Sequence, residues 1–287
     1  MIKRVLIIVA LGLAVSAVYV IAHVKPWAIA RIKKEITSSL HAKTVTIKDL
    51  VIPWRGPIVL SGLVITKNSD LDINVPQITL DKGLWSVIGG STGKIQLKSF
   101  QAQQLKITDV QIDFWWKGGA LVFHILEGKV LNGSIQGDII LQISTTPTYR
   151  AHIKLANISL PKVISDYKLQ QKLSLTGKLF GAIDVSGKGK YFAVINGELT
   201  SVHEGGELII NDTQFIRDMV KRMKLDQVAG SEELFVASLK HYLYNRASVK
   251  LQLEKKDLVL SADLDGDSGK RSFPIVYHDF NLERLGL

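Results

Sequence analysis

Gly89-Gly90-Ser91-Thr92-Gly93 is a stretch whose residue types and spacing match a catalytic pattern. G-x-S-x-G is the elbow that presents a nucleophilic serine between a strand and a helix. The residues that follow, Lys94-Ile95-Gln96-Leu97-Lys98, alternate polar and apolar and read as a strand, so the elbow lacks its helix and hydrolase chemistry is not supported. Gly93-Lys94 is no phosphate-binding loop, because Ile88 stands where the first glycine belongs and neither Ser nor Thr follows the lysine. Asp263, Asp265 and Asp267 with Gly266 approach a calcium loop, but the glycine comes one place early and Pro274 occupies the position of the closing glutamate, which leaves a hairpin turn.

Metal and nucleic-acid chemistry find equally little. The histidines, at 23, 41, 124, 152, 203, 241 and 278, form no H-x-H or H-x-x-x-H pair, and the chain has no cysteine. Asn132, Asn157 and Asn211 head N-x-S/T sequences, which matter only in a eukaryotic secretory protein. Trp115 and Trp116 stand beside Lys117, yet the other basic residues are spread along the chain rather than gathered on one strand face. The reading is a non-enzymatic protein with no cofactor, no metal and no nucleic-acid partner.

The elements carry more information than the motifs. With 287 residues, 46% of them hydrophobic and 22% charged, the chain can bury a sizeable core and is not disordered. From residue 43 onward the dominant period is two. Leu131, Gly133, Ile135, Gly137, Ile139, Leu141 and Ile143 alternate with mostly polar residues, and the same one-sided pattern recurs from Leu173 to Val185, from Val249 to Leu253 and from Leu258 to Leu264. Shorter runs, Thr44 to Lys48, Ile58 to Thr66, Leu71 to Leu80, Lys94 to Phe100, Leu105 to Trp116 and Leu121 to Leu126, fill the first half. In two of them the phase slips, across Pro76 and across Thr108-Asp109, which predicts bulges or edges. Lys117-Gly118-Gly119, Glu127-Gly128, Ser186 to Gly189 and Asp265 to Gly269 read as tight turns joining antiparallel neighbours. Helical spacing interrupts the strands at Leu160 to Gln171, Asn211 to Gln227 and Ser231 to Tyr244.

The N-terminus differs. Lys3 and Arg4 precede Val5 to Ala22, eighteen residues without a charge, which as a helix measure roughly 27 Å and suffice to span a bilayer. The same features fit a cleaved signal peptide. Residues 25–42 read as a juxtamembrane amphipathic helix, with Ile29, Ile32, Ile36 and Leu40 on one side. Lys25, Trp27, Arg31, Lys33 and Lys34 suit an anionic lipid surface. The same face also fits a helix that closes one end of a core. These cations outnumber Lys3 and Arg4, which by the positive-inside rule would leave the body in the cytoplasm. They also localise part of the formal net charge of +10 where it would meet head groups.

Ser39-Leu40, Thr44 to Ile47 and Leu60 to Ile65 resemble the start of AsmA-like proteins, and Leu239 to Tyr244, Val249 to Leu253, Leu258 to Gly266 and Phe273 to Val276 resemble the end of their YdbH-type branch. The resemblance implies a single-pass inner-membrane anchor at residues 1–24 and a periplasmic body at 43–287 that conducts phospholipid toward the outer membrane. The expected fold is mainly β: a transmembrane helix, then a long curled antiparallel sheet forming an open, taco-like groove, with two or three short helices, including those near 211–244. The bridging members of that group are several times longer than this chain. Ile135, Ile139, Leu141, Ile143, Leu175, Leu179, Ile183, Leu251 and Leu260 would line the groove. A closed sandwich core would show the same alternation. The expected partners are phospholipid and the inner membrane, with other envelope proteins or further copies of the chain extending the groove. The rival reading is a structural or outer-membrane assembly factor that binds a partner protein through its sheet edges.

Overall fold

A computed structural model of the chain describes residues 25–38, 42–53, 56–68, 71–81, 91–201, 205–212, 214, 217 and 240–281. The segment expected to span a membrane, 1–24, lies outside the described residues, as does most of the stretch from Thr213 to Leu239 that reads as helical. No helix among the described residues is long and apolar enough to cross a membrane.

The first helix, α1, covers residues 25–38. β1 (Thr44–Thr46) and β2 (Asp49–Val51) both pair with β3 (Ile58–Asn68). Then β4 (Leu71–Leu80), β5 (Ser91–Ala102), β6 (Leu105–Lys117), β7 (Ala120–Val130), β8 (Gly133–Gln142) and β9 (Thr148–Ser159) follow side by side in chain order. α2 (Leu160–Asp166) and β10 (Leu173–Leu175) leave the sheet, which resumes with β11 (Lys178–Lys188) and β12 (Tyr191–Ser201). β13 (Gly206–Ile210) and β14 (His241–Tyr244) leave it again, and β15 (Arg246–Glu254), β16 (Asp257–Gly266) and β17 (Gly269–Tyr277) complete it. The result is one fourteen-stranded antiparallel sheet with β1, β2 and β17 at its ends, and a separate three-stranded sheet of β10, β13 and β14.

The strands form because successive residues alternate between an aliphatic face and a polar one, and the short connections leave each strand only its predecessor to pair with. Gly118 and Gly119 make the β6–β7 turn with positive φ, as their sequence suggests. The next turn is not announced by glycine: Leu131 and Asn132, read as the start of a strand, have φ of 49° and 59° and close the β7–β8 hairpin. Conversely Glu127-Gly128, read as a turn, lies inside β7 at a bulge between Ile125 and Gly128. The slip at Thr108-Asp109 is a bulge, with Asp109 at φ 53°. At Pro76 neither a bulge nor an edge is found: the proline sits in an interior strand, and the β4–β5 pairs Asn74–Ser99 and Gln77–Gln96 keep one register across it. Bulges bend a strand and sharpen its twist.

Among the described residues, two cores hold the sheet. At one, the inward residues of the small sheet, Leu208, Ile210, Tyr242 and Tyr244, pack with α2's Leu160 onto Val130, Ile135, Ile158, Leu179, Leu199, Ala247 and Leu264 of the large sheet. This corrects the expected helix at 231–244: its last four residues are a strand, because Tyr242 and Tyr244 alternate into this core at 1% and 2% exposure. Leu175 belongs to the same covering layer, not to the large sheet. At the other core, Ile36 of α1 packs on a cluster with Leu63, Ile65 and Val75, whereas Ile29 and Ile32 belong to neither core. α2 begins with Ser159 as its cap, whose hydroxyl accepts from the Lys162 N–H, and it ends earlier than its spacing suggests because Lys168 turns left-handed, φ 57°.

Candidate functional site

Paired residues in an antiparallel sheet point to the same side, so the register identifies each face. One row runs through Leu50, Leu60, Ile78, Ile95, Ile112, Ile125, Gly137, Ile153, Ile183, Gly197, Leu251, Leu260 and Ile275. Thirteen strands thus meet in twelve pairings, and each contributes Leu or Ile except β8 and β12, which contribute glycine. At about 4.8 Å per pairing the row is about 58 Å long. A Cβ at Gly137 would stand 2.1 Å from the His152 carbonyl oxygen, so that glycine is required by the close approach of β9.

Part of this face belongs to neither core. Ile112, Ile183, Leu251 and Leu260 are half-buried and belong to neither core, and the same holds for Ile139 and Leu141 in the neighbouring rows. Ile139 pairs with Phe123 and Ala151, and Leu141 with Leu121 and Tyr149. Of the residues expected to line a groove, five are therefore on this face outside both cores: Ile139, Leu141, Ile183, Leu251 and Leu260. Ile135 and Leu179, at 9% and 3% exposure, are core beneath the small sheet. Ile143 follows β8 and is half exposed. The register adds Ile112, likewise outside both cores; Leu60, Ile78 and Ile95 share its row but pack on the core that α1 joins, and Ile153 packs on the core beneath the small sheet.

Aromatic rings close one end of the face. Tyr149 lies over Gly187 and donates to the Tyr191 carbonyl at 3.0 Å. Its ring meets Phe192 edge-on, and Phe280, beyond β17, stacks on Phe192 with centroids 5.4 Å apart. The opposite face carries a polar row beside exposed apolar side chains such as Trp115 and Ile140. Lys94, Asp113, His124, Asp138, His152, Asp184, Asn196 and Gln252 form the adjoining row, with Nδ1 of His124 2.6 Å from Asp138 and Nδ1 of His152 2.7 Å from Asp184. Ser91 opens β5, so the serine motif runs into a strand and not a helix. On α1, Trp27 is 68% exposed, Lys34 is exposed and Lys33 is half-buried. Lys25 is paired with Asp49 and Arg31 with Glu35 at 2.8 Å, so two of the expected lipid-surface cations are held by carboxylates. The Asp49 carboxyl is held below its ordinary range, first by the Lys25 hydrogen bond.

A family model described as YdbH-like, intermembrane phospholipid transport protein YdbH, matches residues 53–275, which run from the residues before β3 into β17. The chain belongs to the YdbH-like family. No curated protein and no solved structure matches it. The YdbH-like match covers the strands β3 to β12 and β15 to β16 whole, and thus nearly all of the aliphatic row.

Proposed function

We propose that the protein is a lipid carrier, without catalytic activity, that holds phospholipid acyl chains on the aliphatic row, in an open groove made by the curl of the large sheet. The observation that carries this reading is the row itself. Taking a sixteen-carbon chain out of a bilayer costs about 0.8 kcal/mol per CH₂, on the order of 13 kcal/mol. Only a lining without polar interruption offsets that cost at every point of the path. In the proposal, residues 1–24 anchor the chain in the inner membrane, α1 turns Trp27, Lys33 and Lys34 to the head groups, and the sheet extends into the periplasm toward the outer membrane. The family description supports transport between membranes.

The test is native mass spectrometry with lipid extraction on the detergent-solubilised chain. Phospholipid bound in near-stoichiometric amount is expected, and recovery of lipid-free protein overturns the reading. A second reading rests on β17, which among the described residues pairs only with β16 and exposes Ile275, Val276 and Tyr277 by 43%, 45% and 48%. That edge could add a strand from an envelope protein or from another copy. Cross-linking from Val276 that captures no strand in envelope extracts, and no second copy, removes it.

A further inference from the structure

The β6–β7, β8–β9 and β11–β12 connections meet at one end of the strands, because Lys117 pairs with Ala120, Ala120 with Gln142, Gln142 with Thr148, Thr148 with Lys188 and Lys188 with Tyr191. Five pairings join the strands from β6 to β12, so the rim they make is about 24 Å long. Here both faces of the sheet are apolar. On the face that carries the aliphatic row, Trp116 pairs with Leu121, Leu121 with Leu141 and Leu141 with Tyr149. On the other, Trp115 pairs with Val122 and Val122 with Ile140, and two residues farther from the rim that face turns to Asp113, His124 and Asp138. From Trp115 to the turn at Gly118 the two-sided apolar band is about 10 Å deep. Trp115, Trp116, Ile140, Ile143, Tyr191 and Val194 are 40–59% exposed, six of the fourteen exposed large apolar side chains among the described residues. The rim's charge is of one sign. Residues 114–123, 139–151 and 185–195 hold Lys117, Arg150, Lys188 and Lys190 and no Asp or Glu. Arg150, Lys188 and Lys190 are exposed, with Lys190 Nζ 5.4 Å from the centre of the Tyr191 ring. To either side the same end regains acids, Asp81 after β4 and Glu254 with Asp257 around the β15–β16 turn. The opposite strand ends mix both signs and pair them, Lys129 with Asp109 at 3.1 Å and Lys162 with Asp166 at 2.6 Å.

Exposed tryptophan and tyrosine beside lysine and arginine, with no carboxylate among them, suit the boundary between lipid head groups and acyl chains: the rings take the boundary, and the cations take the phosphates. The depth of the band agrees with the 5–10 Å to which interfacial elements sink. An acidic protein would answer the cations, but a fluid bilayer surrounds both faces of a sheet end at once. We propose that this rim docks on the surface of an anionic phospholipid bilayer. The inference goes beyond the carrier reading, which brings the chain to a membrane through residues 1–24 and α1, and it does not depend on lipid being held on the row.

The experiment keeps the N-terminal segment occupied: the full chain is inserted into phosphatidylcholine nanodiscs, and its binding to added vesicles is read by co-flotation. Vesicles containing phosphatidylglycerol are expected to carry the discs at low salt. Pure phosphatidylcholine vesicles should not, and about 1 M salt, where the screening length falls to about 3 Å, should release them. Each cation at an anionic surface is worth about fivefold in affinity, so Lys188→Gln/Lys190→Gln should weaken binding about twenty-fivefold. Tyr191→Ser, which removes an exposed ring, should weaken it as well, while Lys106→Gln at the opposite strand ends leaves it unchanged, and circular dichroism checks that every variant is folded. Discs that do not float with phosphatidylglycerol vesicles, or float equally with both kinds, overturn the docking surface. So does wild-type binding by Lys188→Gln/Lys190→Gln, or a fivefold loss in Lys106→Gln, which would assign the attraction to the net charge of the whole chain. Phospholipid extracted from the same preparations tests the carrier reading separately.

Discussion

Tyr244 shows how much one side chain of the small sheet carries. It is almost fully buried, its hydroxyl donates to the Thr176 carbonyl, and burial pushes its phenol up to about 12. The unfolded phenol loses its proton near 10, so between pH 10 and 12 the unfolded state binds fewer protons and stability falls as pH rises. Urea unfolding should show a loss on the order of 3 kcal/mol across that interval, absent from Tyr244→Phe; an equal decline in the variant would assign it to other groups. Gly137 is constrained differently. With φ at +153° and the His152 carbonyl oxygen in the place of a side chain, Gly137→Ala should cost about 2–4 kcal/mol in the same measurement. A cost near zero would mean that β8 and β9 can separate without penalty. The alternation of Ile135, Ile139 and Leu141 around this glycine was plain in the sequence, but the need for a missing side chain was not, because it arises from a strand across the pairing.

At the scale of elements, covered and uncovered parts of one apolar face should answer the same substitution differently. Leu179 of β11 lies under the small sheet, whereas Ile139 of β8 lies outside both cores. Leu179→Gln buries an amide without a partner and should cost several kcal/mol, enough to unfold the covered end. Ile139→Gln should remain folded by circular dichroism and lose bound lipid. Unfolding of both would mean that the face is a closed core throughout. Sequence periodicity identified most of the strands, since the period is two wherever one side is apolar. It misplaced the elements whose identity depends on distant partners. Glu127-Gly128 looks like a turn but is a bulge inside β7, where glycine is needed because a Cβ at Gly128 would press on Ile135 and Val110. His241 to Tyr244 follows a helical spacing yet pairs with β13, and nothing near it in the chain says so.

For the whole molecule, the row makes transport a property of many strands in series. Ile112 and Leu260 are seven pairings apart, about 34 Å, and both are half-buried outside the cores. A lysine at either position should slow lipid transfer between vesicles about tenfold, since a conduit is limited by any one obstruction. If only one of the two slows transfer, the protein holds lipid in a local pocket and does not pass it along.

The connection order has a further consequence, in time. From β3 onward every described strand of the large sheet pairs with the strand before it in that sheet, and two excursions, through β10 and through β13 and β14, interrupt the meander. A chain emerging from its N-terminus can therefore lay down the sheet as it appears, at the low cost of short loops. The small sheet over Leu179 and Leu199 is complete only when His241 to Tyr244 has arrived, so the apolar face acquires the last of its cover after most of the large sheet is laid down.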